Sequence, residues 1–125
     1  MNGTREPGTE QLLRGLAAGE ENLVRSVLAV SPARTGQTTV APTRALTPAT
    51  RALVHLGAIL AVGGSTTSLR WAVELASLAG ARDEEIVDVL ATVAAIVGSA
   101  RVVAAAPRLA LAIGYDIEIE GWDGS

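Results

Sequence analysis

Cysteine is absent from the chain, and its absence excludes several kinds of chemistry. No disulfide, no thiolate nucleophile and no cysteine-ligated metal site can form. The absence also fits a reducing compartment, so we expect a cytoplasmic protein. His55 is the only histidine, and no acidic residue lies near it in the sequence to complete a metal site. We therefore expect neither a metal nor a cofactor.

Bulky aromatic residues are almost as scarce. Phenylalanine is absent, and the aromatic side chains are Trp71, Tyr115 and Trp122. Hydrophobic residues nevertheless make up 49% of the 125 residues, so the core must consist of alanine, leucine, valine and isoleucine. Small side chains allow helices to approach one another closely. The composition therefore predicts one all-α domain.

Lysine is also missing, and the net charge is −3. The ten arginines form no basic run, which argues against nucleic acid as a partner. The acidic balance gives no reason to expect binding to an anionic membrane. The longest apolar run, Ala52 to Gly64, contains His55 and is too short to span a bilayer. We expect no membrane partner and no signal peptide.

Proline and glycine divide the chain into predicted helices. Thr47-Pro48 is a strong helix start, because threonine caps well and proline suits the first helical position. Two helices are predicted on either side of Gly63-Gly64, and a third begins near Asp83. The second of the pair should end at Gly80 and should turn only a narrow polar stripe away from protein.

The remaining segments are predicted from the same signals. We expect a disordered segment at 1–8, a short helix after Thr9 and a second from about Glu20. An irregular stretch at 31–46 should pack on the body or on a neighbouring subunit. A last helical stretch at about 100–113 should be kinked or restarted at Pro107 and end at Gly114, and a tail follows at 117–125.

The central part of the chain carries a distinctive pattern. It reads LTPATRALVHLGAIL, a Gly-Gly turn, a helix that ends in LAGA, and then DEEIVDVLATVAAIVG. Over roughly residues 45–116 this pattern resembles the carboxymuconolactone decarboxylase and AhpD-like family. The resemblance implies an all-α, AhpD-like domain over residues 9–116 built on a central helical hairpin. It also implies a homo-oligomer, a trimer or a hexamer.

The family's reactive residues are missing from the matching positions. The Cys-x-x-Cys pair of the AhpD-like peroxidases would fall on Ser65 and Ser68, and the family histidine on Ala72. The glutamate of the peroxidase relay would fall on or near Leu53. A serine hydroxyl does not ionise near neutral pH, and it needs an adjacent base to become a nucleophile. The resemblance therefore predicts the scaffold without its known chemistry.

Four residues remain as candidates for ligand binding: Ser65, Ser68, His55 and Arg101. The two serines share a helix face and form either a helix cap or a small polar patch. His55 is either a hydrogen-bonded structural residue or part of a pocket. Arg101 shares a helix face with Arg108, which lies seven residues further on. This face is either a stripe that contacts solvent or a neighbouring subunit, or it binds an anion.

Two functional hypotheses follow. The first is a carboxymuconolactone decarboxylase-like protein without redox cysteines that binds a small anionic ligand or serves as an assembly partner. The alternative is a lyase or isomerase that acts on a small lactone or carboxylic acid and uses His55 or arginines in the same pocket. A titratable group in a closed cleft would favour the enzyme.

The lack of cysteine generates a direct prediction. We expect the pure protein to show no thiol-dependent peroxidase activity, because no thiolate can form on it. The measurement is turnover of an alkyl hydroperoxide in the presence of a dithiol reductant, with the reductant alone as the control. Turnover above that background would contradict the prediction.

Overall fold

The computed structural model describes residues 7–29 and 45–115. These residues belong to two compact units, one ending at Thr47 and one beginning at Pro48. All regular structure in the described ranges is helical, which confirms the predicted all-α class. The helices are α1 (Pro7–Ala17), α2 (Glu21–Leu28), α3 (Pro48–Val62), α4 (Thr66–Leu78), α5 (Asp83–Val97) and α6 (Ser99–Ile113).

The first unit is a pair of short amphipathic helices joined at Gly19. Helix α1 begins at Pro7, two residues before the threonine that the sequence indicated as its cap, because proline is well suited to the first helical turn. Gly19 takes a φ of 71° between the helices. A Cβ on Gly15 would collide with the side chain of Leu23, so glycine at this position allows α2 to lie close to α1. The predicted loop at 31–46 falls almost entirely outside the described residues.

The second unit consists of α3 to α6. Helix α3 packs on α4 and α5, and α6 packs on the same two helices. Helices α3 and α6 therefore lie diagonally opposite each other in the four-helix unit. Its core is rich in small side chains. The fully buried large side chains are Leu56, Leu69 and Ile86, and they pack with Ala52, Leu60, Ala72, Val73, Ala76, Ala81, Leu90, Ala105 and Leu109.

Glycine allows α3 and α5 to approach especially closely. A Cβ added to Gly57 would lie 3.3 Å from Cγ1 of Val89 and 3.6 Å from Cγ1 of Val93. The first distance is tighter than ordinary van der Waals contact. Two valine side chains of α5 therefore rest almost directly on the backbone of α3, and this contact holds the two helices at a short separation.

The helix boundaries of this unit follow the proline and glycine signals in the sequence. Pro48 opens α3 as predicted. Gly63, Gly80 and Gly114 have φ angles of 73°, 100° and 111°, a region that glycine enters without steric cost. Each of them follows a helix end, so the chain changes direction where the sequence predicted a turn.

The sequence predicted a kink or a new segment at Pro107. Helix α6 continues through Pro107 as one element, so no new segment starts there. Proline has no N–H, so the carbonyl of Val103 loses its helical donor. The Val103 residue is 71% exposed, and water can reach this part of the helix. Solvent access at the interrupted position explains why the helix tolerates the proline.

Several large apolar side chains of the second unit are exposed. The sequence predicted that α4 would turn only a narrow polar stripe away from protein, but Trp71 and Leu78 are 42% and 79% exposed. On α3, Val54 is 58% exposed. One small unit cannot bury every apolar side chain of four apolar helices, which explains the difference. Among the described residues, no helix is long and apolar enough to cross a bilayer.

Candidate functional site

A cleft of about 420 Å³ lies at one end of the four-helix unit. This volume falls within the range of roughly 300–1,000 Å³ that is typical of small-molecule sites. The end of α3, the beginning of α4, the end of α5 and the first half of α6 meet there. The described lining residues are Ile59, Leu60, Gly63, Gly64, Leu69, Val97, Ala100, Arg101, Ala104, Ala105 and Arg108.

Arg108 connects α6 to the turn between α3 and α4. Its Nη2 atom donates a hydrogen bond of 3.0 Å to the carbonyl oxygen of Gly64. Its Nε atom is buried and has no hydrogen-bond partner among the described residues. A buried donor without a partner carries a desolvation cost. The hydrogen bond to Gly64 fixes the position of the guanidinium group at the turn.

Arg101 lies against the same turn, over Gly63. A Cβ added to Gly63 would overlap Nη1 of the Arg101 guanidinium. Glycine at this position thus does two things, since it permits the positive φ of the turn and leaves space for the arginine head. Gly64 is equally constrained, because its Cβ would lie 2.8 Å from Cγ2 of Ile59.

The charge of the cleft is positive and unbalanced. Within the described ranges, the ion pairs of the chain involve Arg14, Arg25 and Arg82, and neither Arg101 nor Arg108 pairs with a carboxylate. Every other described lining residue is glycine, alanine, valine, leucine or isoleucine. Guanidinium groups are permanently charged and match planar oxyanions in geometry. The arrangement favours a small anion with an apolar body.

The cleft offers little to a metal ion. Guanidinium groups repel cations, and its remaining described lining is apolar. Over residues 7–29 and 45–115, no group of three or more histidine and acidic side chains is arranged to hold a metal.

The structure places Ser65 and Ser68 together at the start of α4. The Ser65 hydroxyl accepts a 3.1 Å hydrogen bond from the backbone N–H of Ser68 and donates one of 3.1 Å to the Ser68 hydroxyl. Ser65 is therefore the N-cap of α4. Neither serine is among the described lining residues of the cleft, although Gly64 precedes them directly. A ligand-binding role for the pair stays a prediction.

His55 lies elsewhere on α3, next to Trp71 of α4. The two ring centroids are 5.2 Å apart and the ring planes meet at 75°, an edge-to-face arrangement that aromatic pairs favour. The Nε2 atom is buried without a hydrogen-bond partner in the described part of the chain. His55 is not among the described lining residues of the arginine cleft. Of the four candidate residues, Arg101 is the one that the structure brings to this cleft.

The sequence interpretation did not include the glycine turn in the site. Gly63 and Gly64 were read only as a helix break, yet Gly64 positions Arg108 through its carbonyl and Gly63 accommodates Arg101. A single glycine is enough to end a helix. The presence of two adjacent glycines was therefore the sequence signal that this turn has a further role. The seven-residue spacing of the arginines was recognised, and the structure brings both side chains to the same cleft.

Comparison with known protein families identifies the scaffold. The model of the carboxymuconolactone decarboxylase family matches residues 31–110. The chain belongs to this family. No curated protein and no solved structure matches the chain significantly. In this family member, Ala72 stands where the resemblance places the family histidine, and it is fully buried in the core.

The packing of Arg101 over Gly63 generates a prediction with a matched control. Gly63→Ala and Gly80→Ala both place a side chain at positive φ, and each should lower the free energy of unfolding by about 1–2 kcal/mol. Only Gly63→Ala should also displace Arg101, because open space surrounds Gly80. The measurements are urea unfolding and the NMR signal of the Arg101 Nε–H group. An equal shift of that signal in the two variants would contradict the described packing.

Proposed function

We propose that this carboxymuconolactone decarboxylase-like protein binds a small carboxylate-bearing ligand in the arginine cleft and has no peroxidase activity. The observation that carries the proposal is the presence of two guanidinium groups, Arg101 and Arg108, in one apolar cleft without a carboxylate partner among the described residues. A carboxylate would accept hydrogen bonds from these guanidinium groups and neutralise the local charge.

Binding without turnover fits the cleft better than acid–base catalysis does. A general base must reach the proton that it removes, and the described lining residues include no histidine, carboxylate or tyrosine. Arginine stays protonated and cannot take this role. The alternative, a lyase or isomerase acting on a small lactone or carboxylic acid, would require a base from outside these lining residues.

Benzoate is a suitable probe of the proposal, because it combines one carboxylate with an apolar ring. Arg101→Gln and Arg108→Gln should each weaken benzoate binding about tenfold or more, the loss typical of a hydrogen bond to a charged group. Arg70→Gln is the matched control, since Arg70 is an exposed arginine of α4 that does not line the cleft. Isothermal titration calorimetry provides the affinities.

Benzamide supplies the second control, because it keeps the ring and lacks the charge. Its binding should be weak and insensitive to both cleft substitutions. Benzoate affinity that is unchanged in Arg101→Gln and Arg108→Gln, or equal to that of benzamide, would contradict the proposed anion site.

We further propose that the protein is a homo-oligomer, a trimer or hexamer, assembled through the exposed apolar side chains of α3 and α4. Val54, Trp71 and Leu78 support this, since they are 58%, 42% and 79% exposed in the single chain. Exposed apolar surface on a stable protein commonly marks an interface.

Assembly can be tested by light scattering at micromolar concentration. Val54→Glu combined with Leu78→Glu should reduce the mass to that of a monomer, because both changes place charge on the proposed interface. Thr67→Glu is the control, as Thr67 is an exposed polar residue of α4. A wild-type protein that is already a monomer would refute the proposal.

A further inference from the structure

Two small residues lie between the arginines of the cleft on α6. Four lining residues of this helix follow one another at intervals of three, one and three positions: Arg101, Ala104, Ala105 and Arg108. This spacing puts them on one stripe of the helix surface, with the alanines in the middle. We call Ala104 and Ala105 the alanine floor of the cleft.

The wall opposite the alanine floor is the turn between α3 and α4. The guanidinium of Arg108 donates a hydrogen bond to the carbonyl of Gly64, and the guanidinium of Arg101 lies against Gly63. Both arginine side chains therefore extend from α6 to the same pair of glycines. The space between them is bounded by alanine on the helix and by glycine on the turn, and these residues contribute nothing larger than a methyl group to it.

The spacing of the two arginines leaves room for part of a ligand between them. Seven helical residues correspond to about 10.5 Å along the axis. Carbon atoms in contact are about 3.5–4.0 Å apart, so a layer of ligand carbon between two side chains needs about 7–8 Å. A carboxylate bound to the guanidinium groups can therefore place its apolar part between the arginine side chains, over the alanine floor.

Ala104 is the alanine that controls access to this space. Ala105 is only 5% exposed and belongs to the core of the four-helix unit. Ala104 lines the same cleft but is exposed, so its methyl group faces open space and not another helix. A larger side chain at position 104 would project into the cleft and leave the packing of the core unchanged.

We propose that Ala104 determines the size of the carboxylate that the cleft accepts. The apolar part of the ligand lies against the Ala104 methyl group, between Arg101 and Arg108, while the guanidinium groups hold its carboxylate. The inference rests on the proposed function, because it assigns the selection of ligands to one position of the same anion site. It narrows the ligand class to carboxylates that carry an apolar group of about the size of a ring.

Benzoate and acetate test the inference, because they share the carboxylate and differ in the size of the attached group. NMR titration of the full chain measures both dissociation constants, including millimolar ones. The wild-type protein should bind benzoate about tenfold or more tightly than acetate, since the ring buries apolar surface that acetate lacks. Ala104→Leu should remove most of this difference: benzoate affinity should fall about tenfold, because leucine fills the space of the ring, and acetate affinity should change less than about threefold.

A smaller substitution gives a second reading of the same effect. Ala104→Val adds less volume than leucine, so it should weaken benzoate binding by an intermediate factor of about three. Ala106→Leu is the matched control, since Ala106 is also an exposed alanine of α6 and does not line the cleft. Both affinities should keep their wild-type values in this control. Alanine and leucine are both good helix formers, so the leucine variants should retain α6.

The possible outcomes separate this inference from the proposed function. Benzoate affinity that is unchanged in Ala104→Leu, or that falls equally in Ala106→Leu, would overturn the role of Ala104. The anion site itself would still stand if Arg101→Gln and Arg108→Gln weaken benzoate binding. Equal losses of acetate and benzoate affinity in Ala104→Leu would also overturn the inference, because selection by size spares the small anion. A wild-type protein that binds neither carboxylate would refute the proposed function and this inference with it.

Discussion

The small volume of the core side chains is the constraint on which the four-helix unit depends. Alanine and glycine bring the helices close enough for valine side chains of α5 to rest on the backbone of α3 at Gly57. The described core contains no aromatic side chain that could fill a gap between more distant helices. At one end of the unit a cleft stays open among the described residues, and Arg101 and Arg108 line it together with aliphatic side chains such as Leu60.

The start of α4 has a structural role in this family member. Where the resemblance places a redox pair, the Ser65 hydroxyl caps the helix and contacts Ser68, and the position of the family histidine is a buried alanine. The hydroxyl satisfies a backbone donor that every helix leaves open. The positively charged groups of the cleft lie on α6 instead, where Arg108 reaches back to the turn that precedes α4. The positive charge therefore comes from side chains as well as from any helix dipole.

Much of the fold was predictable because local chemistry decides it. Pro48, Gly63, Gly80 and Gly114 determine backbone conformations that few other residues adopt, so their positions predicted the helix boundaries. The spacing of Arg101 and Arg108 likewise predicted a shared face. The environment of His55 was not predictable, because it depends on the angle at which α4 crosses α3 and brings Trp71 to the imidazole. The exposure of Leu78 was missed for a similar reason, since periodicity identifies an apolar side chain but not whether another helix is available to cover it.

Pro107 makes α6 easier to bend at one point than along the rest of its length. The hydrogen bond that it removes would have joined residues 103 and 107, and this position lies between Arg101 and Arg108. The two charged side chains therefore stand on segments of one helix that are joined by a softer point. A bend at this point would change the distance between the two guanidinium groups. In the proposed anion site, that distance sets the size of the oxyanion that both arginines can reach at once.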